Sequence, residues 1–489
     1  MKLKIKDVDI ASGDILVAIL NEKDALELGI QATDRIKIKR LRSNKHITAV
    51  VDIATSIKQG QLGLFEEGLK LLNLKDKDSV EVTCGEPPKS IILIKDKLDG
   101  KRLTEEQINL IIEDIIENRF SDKEMTYFVS ACYIRGLNLK ETVSLTKSIV
   151  NTGTKIDLGK KIVLDKHCIG GIPNNRTTMI VIPILASLGY TIPKTSSRSI
   201  TSPAGTADTM EVLAPVALSE AKIKSVVSKT NACIVWGGNT NLAAADDKLI
   251  KVRHPLKIDP EGMLLASILA KKKAVGATHV LIDIPYGYGA KFENKRSAKV
   301  LSKKFIKLGE LLGMKIKVIL TDGSQPIGNG VGPVLEAMDI LSVLKSNGPN
   351  DLRAKAIYMA TELLKMLRVK NAKEKVIETL NSGKAYDKFM EIIKAQGGKK
   401  HFKLQKAKFF HSVLAKKDGK ISSINNKGIS TIARRAGAPQ NKAAGLYLRV
   451  HKNQMVKKGE VLFTIYARTK EKLQFAITTA QHVEHIVIN

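Results

Sequence analysis

Lys194-Thr195-Ser196-Ser197-Arg198-Ser199-Ile200-Thr201-Ser202-Pro203-Ala204-Gly205-Thr206-Ala207-Asp208-Thr209-Met210-Glu211 carries seven hydroxyl side chains between Thr195 and Thr206, one arginine and a Gly-Thr turn. Hydroxyls can donate to phosphate or sugar oxygens, and an arginine offers a planar fork for bidentate contact. Hydroxyl-rich segments are ordinarily solvated linkers. This one is flanked by apolar runs and comes one strand–helix unit after a second polar loop, which favours ligand binding.

That second loop is Asp165-Lys166-His167-Cys168-Ile169-Gly170-Gly171-Ile172-Pro173-Asn174-Asn175-Arg176-Thr177-Thr178. It follows a short apolar strand at 162–164 and precedes an apolar helix expected over 179–188. Gly170-Gly171 lets the backbone approach a ligand, and the helix start would offer N–H groups to an anion. Lys166 can add a point charge. No Gly-Lys-Ser/Thr ends the loop, so it is not a Walker A. Taken alone, a plain strand–turn–helix joint accounts for it equally well. Further strands are expected at 234–236, 280–284 and 316–320, each followed by a polar or Gly-rich loop and a helix. The alternation implies an α/β domain over 161–400, with ligands beyond the carboxyl ends of the strands.

The flanking regions read differently. Residues 1–84 hold short β-branched segments at 36–38, 47–53 and 80–82, as in a small β-rich domain. Gly85-Glu86-Pro87-Pro88 reads as a linker. Residues 85–160 form an all-helical domain, joined by a later helical segment: Thr104 with Gln107 and Ser121 with Glu124 are capping boxes, and Asn138 with Glu141 is a looser one. Ile108, Ile111, Ile112, Ile115 and Ile116 recur at helical spacing, and Gly136 suits a C-cap. Residues 401–489 turn β-rich again, with turns at Asp418-Gly419, Gly437-Ala438-Pro439 and Lys458-Gly459-Glu460. No covalent carrier tip is seen there, which leaves a structural or oligomerisation role.

The chain of 489 residues is too long for one core. Its hydrophobic fraction of 43% suits a soluble globular protein, and at 4% aromatic the core must be mainly aliphatic. The net charge of +31 would attract polyanions, but the basic residues are dispersed and no basic stripe with interleaved aromatics occurs. Specific nucleic-acid binding is therefore not expected. Cys84, Cys132, Cys168 and Cys233 form no CxxC pair, so neither a zinc site nor a disulfide framework is expected. Asp246-Asp247 lacks further ligands at metal-binding spacing, and no metal is assigned. With no signal peptide and no membrane-length apolar run, a cytoplasmic protein is expected.

The pattern Ser196, Arg198, Gly205, Thr206, Asp208, Glu211 resembles the signature of the thymidine and pyrimidine-nucleoside phosphorylase family. Lys166-His167-Cys168-Ile169-Gly170-Gly171 is similar to that family's phosphate loop, with Cys168 where many members have serine. Residues 266–272, Asp322-Gly323-Ser324-Gln325-Pro326 and Gly332-Pro333 agree with it, so the resemblance spans nearly the whole chain. Within the family the likeness is to the AMP phosphorylase branch. It rests on the extra N-terminal domain with Gly63-Leu64-Phe65-Glu66-Glu67, on Ser-Arg-Ser-Ile-Thr-Ser-Pro-Ala-Gly-Thr in the first loop, and on Gly289-Ala290-Lys291. The stretch around Cys168 and the Asp322 segment also resemble a bacterial group given provisional thymidine phosphorylase names.

The resemblance implies an α/β multidomain fold: a small β-rich N-terminal domain, a helical domain facing an α/β phosphate-binding catalytic domain across a cleft, and an α+β C-terminal domain. It implies phosphorolysis of a nucleoside 5′-monophosphate, with AMP and phosphate giving adenine and ribose 1,5-bisphosphate and with CMP and UMP as further substrates. Domain closure would exclude water. The alternative is thymidine phosphorolysis on the same scaffold. The distant one is a basic nucleic-acid-binding protein. The implied phosphate ligands are Lys166, Gly170, Gly171 and Thr206. The implied substrate contacts are Gly171, Ser197, Arg198, Ser199, Ile200, Thr201, Ser202, Thr206, Ser267 and Lys291. No cofactor is expected, inorganic phosphate being a co-substrate, and the expected assembly is a homodimer or larger homo-oligomer. Ser202 stands where nucleoside enzymes carry histidine, and a serine hydroxyl cannot supply a proton near neutral pH. The resemblance moves the acid to Asp259, which would need a raised carboxyl pKa. Before Pro260, Asp259 also reads as a helix cap. Ser267 otherwise reads as helix packing and Lys291 as a solvated lysine.

Overall fold

Strands with alternating apolar and charged residues open the chain: Lys2–Asp7 buries Leu3 and Ile5, and Arg35–Arg40 buries Ile36 and Ile38. The period-2 alternation sends every apolar side chain to one face, which a small barrel can enclose. The computed structural model describes residues 1–13, 16–85, 88–199, 202–240, 242–256, 258–399 and 403–489. Glu86 and Pro87 of the expected linker lie outside them. The described residues divide into two compact units, Met1–Thr152 with Ala244–Leu264, and Gly153–Ala243 with Leu265–Asn489.

In the first unit the six strands Lys2–Asp7, Gln61–Leu64, Val17–Leu20, His46–Ile53, Arg35–Arg40 and Ser79–Cys84 follow one another around a closed barrel. The first pairs parallel to Gln61–Leu64 and antiparallel to Ser79–Cys84, which closes the ring and leaves no open edge. The helices Ile91–Leu98, Glu105–Ile116, Asp122–Arg135 and Leu139–Thr152 follow. Thr104 with Gln107 and Ser121 with Glu124 form reciprocal capping boxes. Asn138 and Glu141 also exchange bonds: Asn138 N donates to Glu141 (2.8 Å) and Glu141 N to the Asn138 side chain (3.0 Å). Glu141 is buried and also receives Lys97 Nζ (2.7 Å) and Leu103 N (3.0 Å). The later helix Ala244–Leu256 packs on this bundle. Lys248 of that helix closes the open end of Glu105–Ile116, its ammonium donating to the carbonyls of Ile115 (2.8 Å) and Ile116 (2.9 Å) and to Asn118 Oδ1 (2.6 Å).

The second unit is organised by parallel strands. Lys315–Asp322, His279–Tyr286 and Leu164–Cys168 form one sheet in that order, and Ile192–Ser196 pairs parallel with Ala232–Trp236. A parallel bridge between Val163 and Thr191 joins the two edge to edge. The strand His279–Tyr286 is buried along almost its whole length, as expected of a parallel strand covered on both faces. The helix Thr178–Ser187 packs against Asn350–Met366, Ala372–Asn381 and Lys384–Gln396 in one aliphatic core.

Two expectations are corrected here. The strand expected at 162–164 lies at Leu164–Cys168, so Asp165, Lys166, His167 and Cys168 are strand residues and the loop begins after them. Pairing with His279–Asp283 outweighs the charged side chains, of which Asp165 finds ion-pair partners inside and Lys166 donates to threonine hydroxyls. The boundary expected at 401 does not separate the last sheet from what precedes it, because Gly330–Val331 pairs with Tyr447 and Leu446. The C-terminal segment also holds two helices, Asn426–Arg435 and Lys470–His482, beside its strands. Among the described residues no helix is long and apolar enough to cross a membrane.

Candidate functional site

The strand Leu164–Cys168 delivers its polar residues to opposite faces of the sheet. On one face Asp165, fully buried, sits between two ammonium groups, Lys272 Nζ at 2.8 Å and Lys194 Nζ at 3.2 Å. Burial lowers the pKa of Lys272, while Asp165 works against that shift. His167 lies among the same lysines, and burial together with the positive charge of Lys272, Lys194, Lys166 and Lys271 holds it well below imidazole's ordinary value. It is a neutral ring that shapes the strand.

On the other face Lys166 is fully buried, its ammonium donating to Thr177 Oγ1 (2.7 Å) and Thr178 Oγ1 (3.2 Å). Burial pulls its pKa down, against the attraction of the nearby Asp283 carboxylate. Burial, and then the Asp283 charge, push the Cys168 thiol up to about 11, so it stays protonated. Asn175 Nδ2 donates to its sulfur (2.9 Å) and to Asp283 Oδ2 (3.3 Å), and Lys355 Nζ lies 3.2 Å from the same carboxylate. Gly170 and Gly171 both adopt φ of 93°, a conformation that favours glycine. The start of the helix Thr178–Ser187 is not an open row of donors: Met179 N bonds to Arg176 O (2.9 Å) and Ile180 N to Thr177 O (3.1 Å). The hydroxyls of Thr177 and Thr178, beside Lys166, are the more prominent polar groups there.

The hydroxyl-rich loop is braced by its own charged residues. Arg198 directs its fork at Glu211, at 2.8 and 2.5 Å, and reaches Asp208 Oδ1 at 3.2 Å. Its guanidinium stacks 4.9 Å from the Trp236 ring. Lys442 adds a second cation, 2.8 Å from Glu211. Asp208 Oδ2 accepts from Ser199 N (2.7 Å) and Gly205 N (2.9 Å), pinning both ends of the turn. The fork that the sequence offered to a ligand is therefore spent on holding the loop. Ser199 Oγ donates to Ser202 O, and Ser202 Oγ donates to Ala204 O (2.7 Å). Ser197 is exposed and Thr206 is buried at the head of the short helix Thr206–Met210. Ile200 and Thr201 lie outside the described residues.

Arg176 joins the two loops, its side chain bonding to Ala204 O and, through Nε, to the fully buried Glu336 (2.7 Å). Glu336 also accepts from Thr209 Oγ1 (3.2 Å). Arg176 stands in the loop that carries Gly170 and Gly171, with nothing in its own neighbourhood of sequence to mark this role. Its partners lie 28 and 160 residues away, which no local pattern reveals. A third loop meets the first: a Cβ on Gly171 would lie 2.9 Å from Lys291 N, so the backbone of exposed Lys291 rests against the glycine. Ser267 is buried on the helix Glu261–Ala274.

Asp259 belongs to the first unit. Its carboxylate, about a third exposed, is 3.4 Å from Arg253 Nη1, and Arg253 Nη2 is 3.6 Å from buried Asp246. The helix begins at Glu261, with Leu264 N donating to Pro260 O (2.9 Å), so the capping position falls on Pro260 rather than Asp259.

Residues 92–153 match the glycosyl transferase family helical bundle domain, residues 160–386 the a/b domain of the same family, and residues 420–487 the pyrimidine nucleoside phosphorylase C-terminal domain. The chain is 42% identical over 490 residues to an AMP phosphorylase of Methanococcoides burtonii, covering 98% of this chain and 96% of that protein. It is 43% identical over 467 residues to a Legionella pneumophila (strain Corby) protein with the provisional name thymidine phosphorylase, covering 94% and 90%. The anthranilate phosphoribosyltransferase of Thermus thermophilus shares the fold at a TM-score of 0.53 and 17% identity, over 62% of this chain and 98% of that one. On the strength of the full-length likeness, the chain belongs to the family of nucleoside and nucleotide phosphorylases that contains the AMP phosphorylases.

Proposed function

We propose that the chain cleaves a nucleoside 5′-monophosphate by phosphorolysis, AMP and phosphate giving adenine and ribose 1,5-bisphosphate. Inorganic phosphate, near Lys166, Gly170, Gly171 and Thr206, attacks the anomeric carbon as the C–N bond breaks, and the departing base takes a proton from Asp259. The site residues assigned to the substrate are Ser197, Arg198, Ser199, Ile200, Thr201, Ser202, Ser267 and Lys291. Arg198 acts by holding the loop. No cofactor takes part.

The reading rests on one contact, that of the Lys291 backbone with Gly171. It brings a lysine-bearing loop onto the glycine of the phosphate loop, which suits a substrate with an anion of its own. Ser202 agrees, since a serine stands there where the nucleoside enzymes carry histidine, and its hydroxyl donates to Ala204 O. Release of free base should be measured with AMP, CMP, UMP and thymidine, with and without phosphate. Phosphate-dependent release from AMP is expected. Turnover of thymidine with AMP inert would overturn the reading in favour of a pyrimidine-nucleoside phosphorylase.

A further inference from the structure

Lys291 can define a 5′-phosphate only if its backbone is fixed, because a lysine is a point charge on a flexible stem. The base of its loop is closed locally: Gly287 N donates to Phe292 O (3.0 Å) and Ala290 N to Gly287 O (3.0 Å). The tip is held from more than a hundred residues away. Tyr288 Oη donates to Glu484 (2.8 Å), and Asn425 Nδ2 reaches the same oxygen (3.5 Å). Asn426, fully buried, donates to Gly323 O (2.8 Å) and to Tyr288 O (3.5 Å). Gly289, at φ 75°, lies against it: a Cβ there would be 3.4 Å from Asn426 N. The Tyr288 hydroxyl supplies the bond to Glu484.

We propose that the C-terminal segment belongs to the substrate-recognition machinery, with Asn426 and Glu484, through Tyr288, acting as positioning residues that fix where Lys291 meets the 5′-phosphate. This goes beyond a structural or oligomerising role for residues 401–489, and it rests on the nucleotide reading above. The recognised chemistry is a phosphomonoester on the sugar. The contacts bear on substrate affinity and leave the bond-breaking step alone.

The test compares KM for AMP, KM for phosphate, kcat, and Ki for adenosine as a competitive inhibitor. Asn426→Ala should raise KM for AMP about tenfold, and Tyr288→Phe or Glu484→Ala about threefold, the range of one or two hydrogen bonds. The other three parameters should stay within about twofold. Glu484→Gln keeps an acceptor and should behave as wild type. Tyr288→Phe with Glu484→Ala should cost no more than Glu484→Ala alone, since the tyrosine bond is already lost with the carboxylate. Should Asn426→Ala fail to fold, the variants at 288 and 484 decide, Tyr288 being 51% exposed. An equal rise in KM for phosphate, or no change for AMP in any of them, overturns the proposal. Lys291→Ala separates the two failures. If it raises KM for AMP while the positioning variants do not, only this proposal falls. If it leaves AMP unaffected, Lys291 is not the 5′-phosphate contact and this proposal falls, whereas the nucleotide reading falls only if AMP is not cleaved at all.

Discussion

Replacing Asp259 with asparagine removes the carboxyl group proposed as the proton donor and little else. The amide has the same shape, and its oxygen can still accept from Arg253, which lies 3.4 Å away and is also held by Asp246. An ion pair with one partner about a third exposed is worth at most about 1 kcal/mol, so stability should change by less than that. Loss of a general acid lowers kcat by roughly 10²–10⁴, or about 3–5 kcal/mol of barrier. The kinetic effect thus exceeds anything the lost pair explains. Adenine release from AMP at saturating phosphate gives kcat, and thermal melting monitors the fold. A second substrate makes the test specific: a purine nucleotide methylated at N7 carries a fixed positive charge, and its base leaves without being protonated. Wild type and Asp259→Asn should cleave it at rates within about tenfold of each other. If the variant is as impaired with the methylated substrate as with AMP, Asp259 is not the acid.

Other outcomes follow from the same geometry. Asp165→Asn strips the countercharge from two buried ammonium groups, at 2.8 and 3.2 Å, and should cost about 3–5 kcal/mol in denaturant unfolding; a loss under about 1 kcal/mol would refute the buried triad. Gly171→Ala combines a φ of 93° with a Cβ 2.9 Å from Lys291 N. It should raise KM for both AMP and phosphate by about tenfold or more, and unchanged values would separate the two loops functionally. The Arg198 guanidinium holds the Glu211 carboxyl at about 2, against an ordinary 4.5. A carboxyl depressed by folding stabilises above its unfolded pKa and loses that contribution as pH falls toward the folded one. The stability gap between wild type and Glu211→Gln should therefore be constant above about pH 5 and shrink as pH falls from about 4.5 toward 2. A gap that stays constant down to pH 3 would exclude the pair.

The chain's local grammar determined a good deal. Capping boxes at Thr104 and Ser121 depend on residues three apart, and both form. Alternation in Lys2–Asp7 and Arg35–Arg40 is a property of a strand's own pleat, so which residues face inward was legible. The order of glycines, hydroxyls and charges in the two polar loops was enough to identify the family. Strand ends were less legible, because Lys166 and Cys168 look like loop residues until pairing with His279–Asp283 takes them into the sheet.

What the residues around the site do was decided by tertiary structure. Arg198 looks like a ligand fork in sequence, but Glu211 and Asp208 occupy it and Trp236 stacks on it. Lys166 reads in sequence only as a point charge near the glycines, and the fold buries it against Thr177 and Thr178. Arg176 is tied to Glu336 and Tyr288 to Glu484, across 160 and 196 residues. A sequence states which donors and acceptors exist. Whether a charge is free for a ligand or already satisfied depends on which distant partner the fold delivers within about 3 Å, because an unpaired buried charge costs several kcal/mol and the chain must settle it internally.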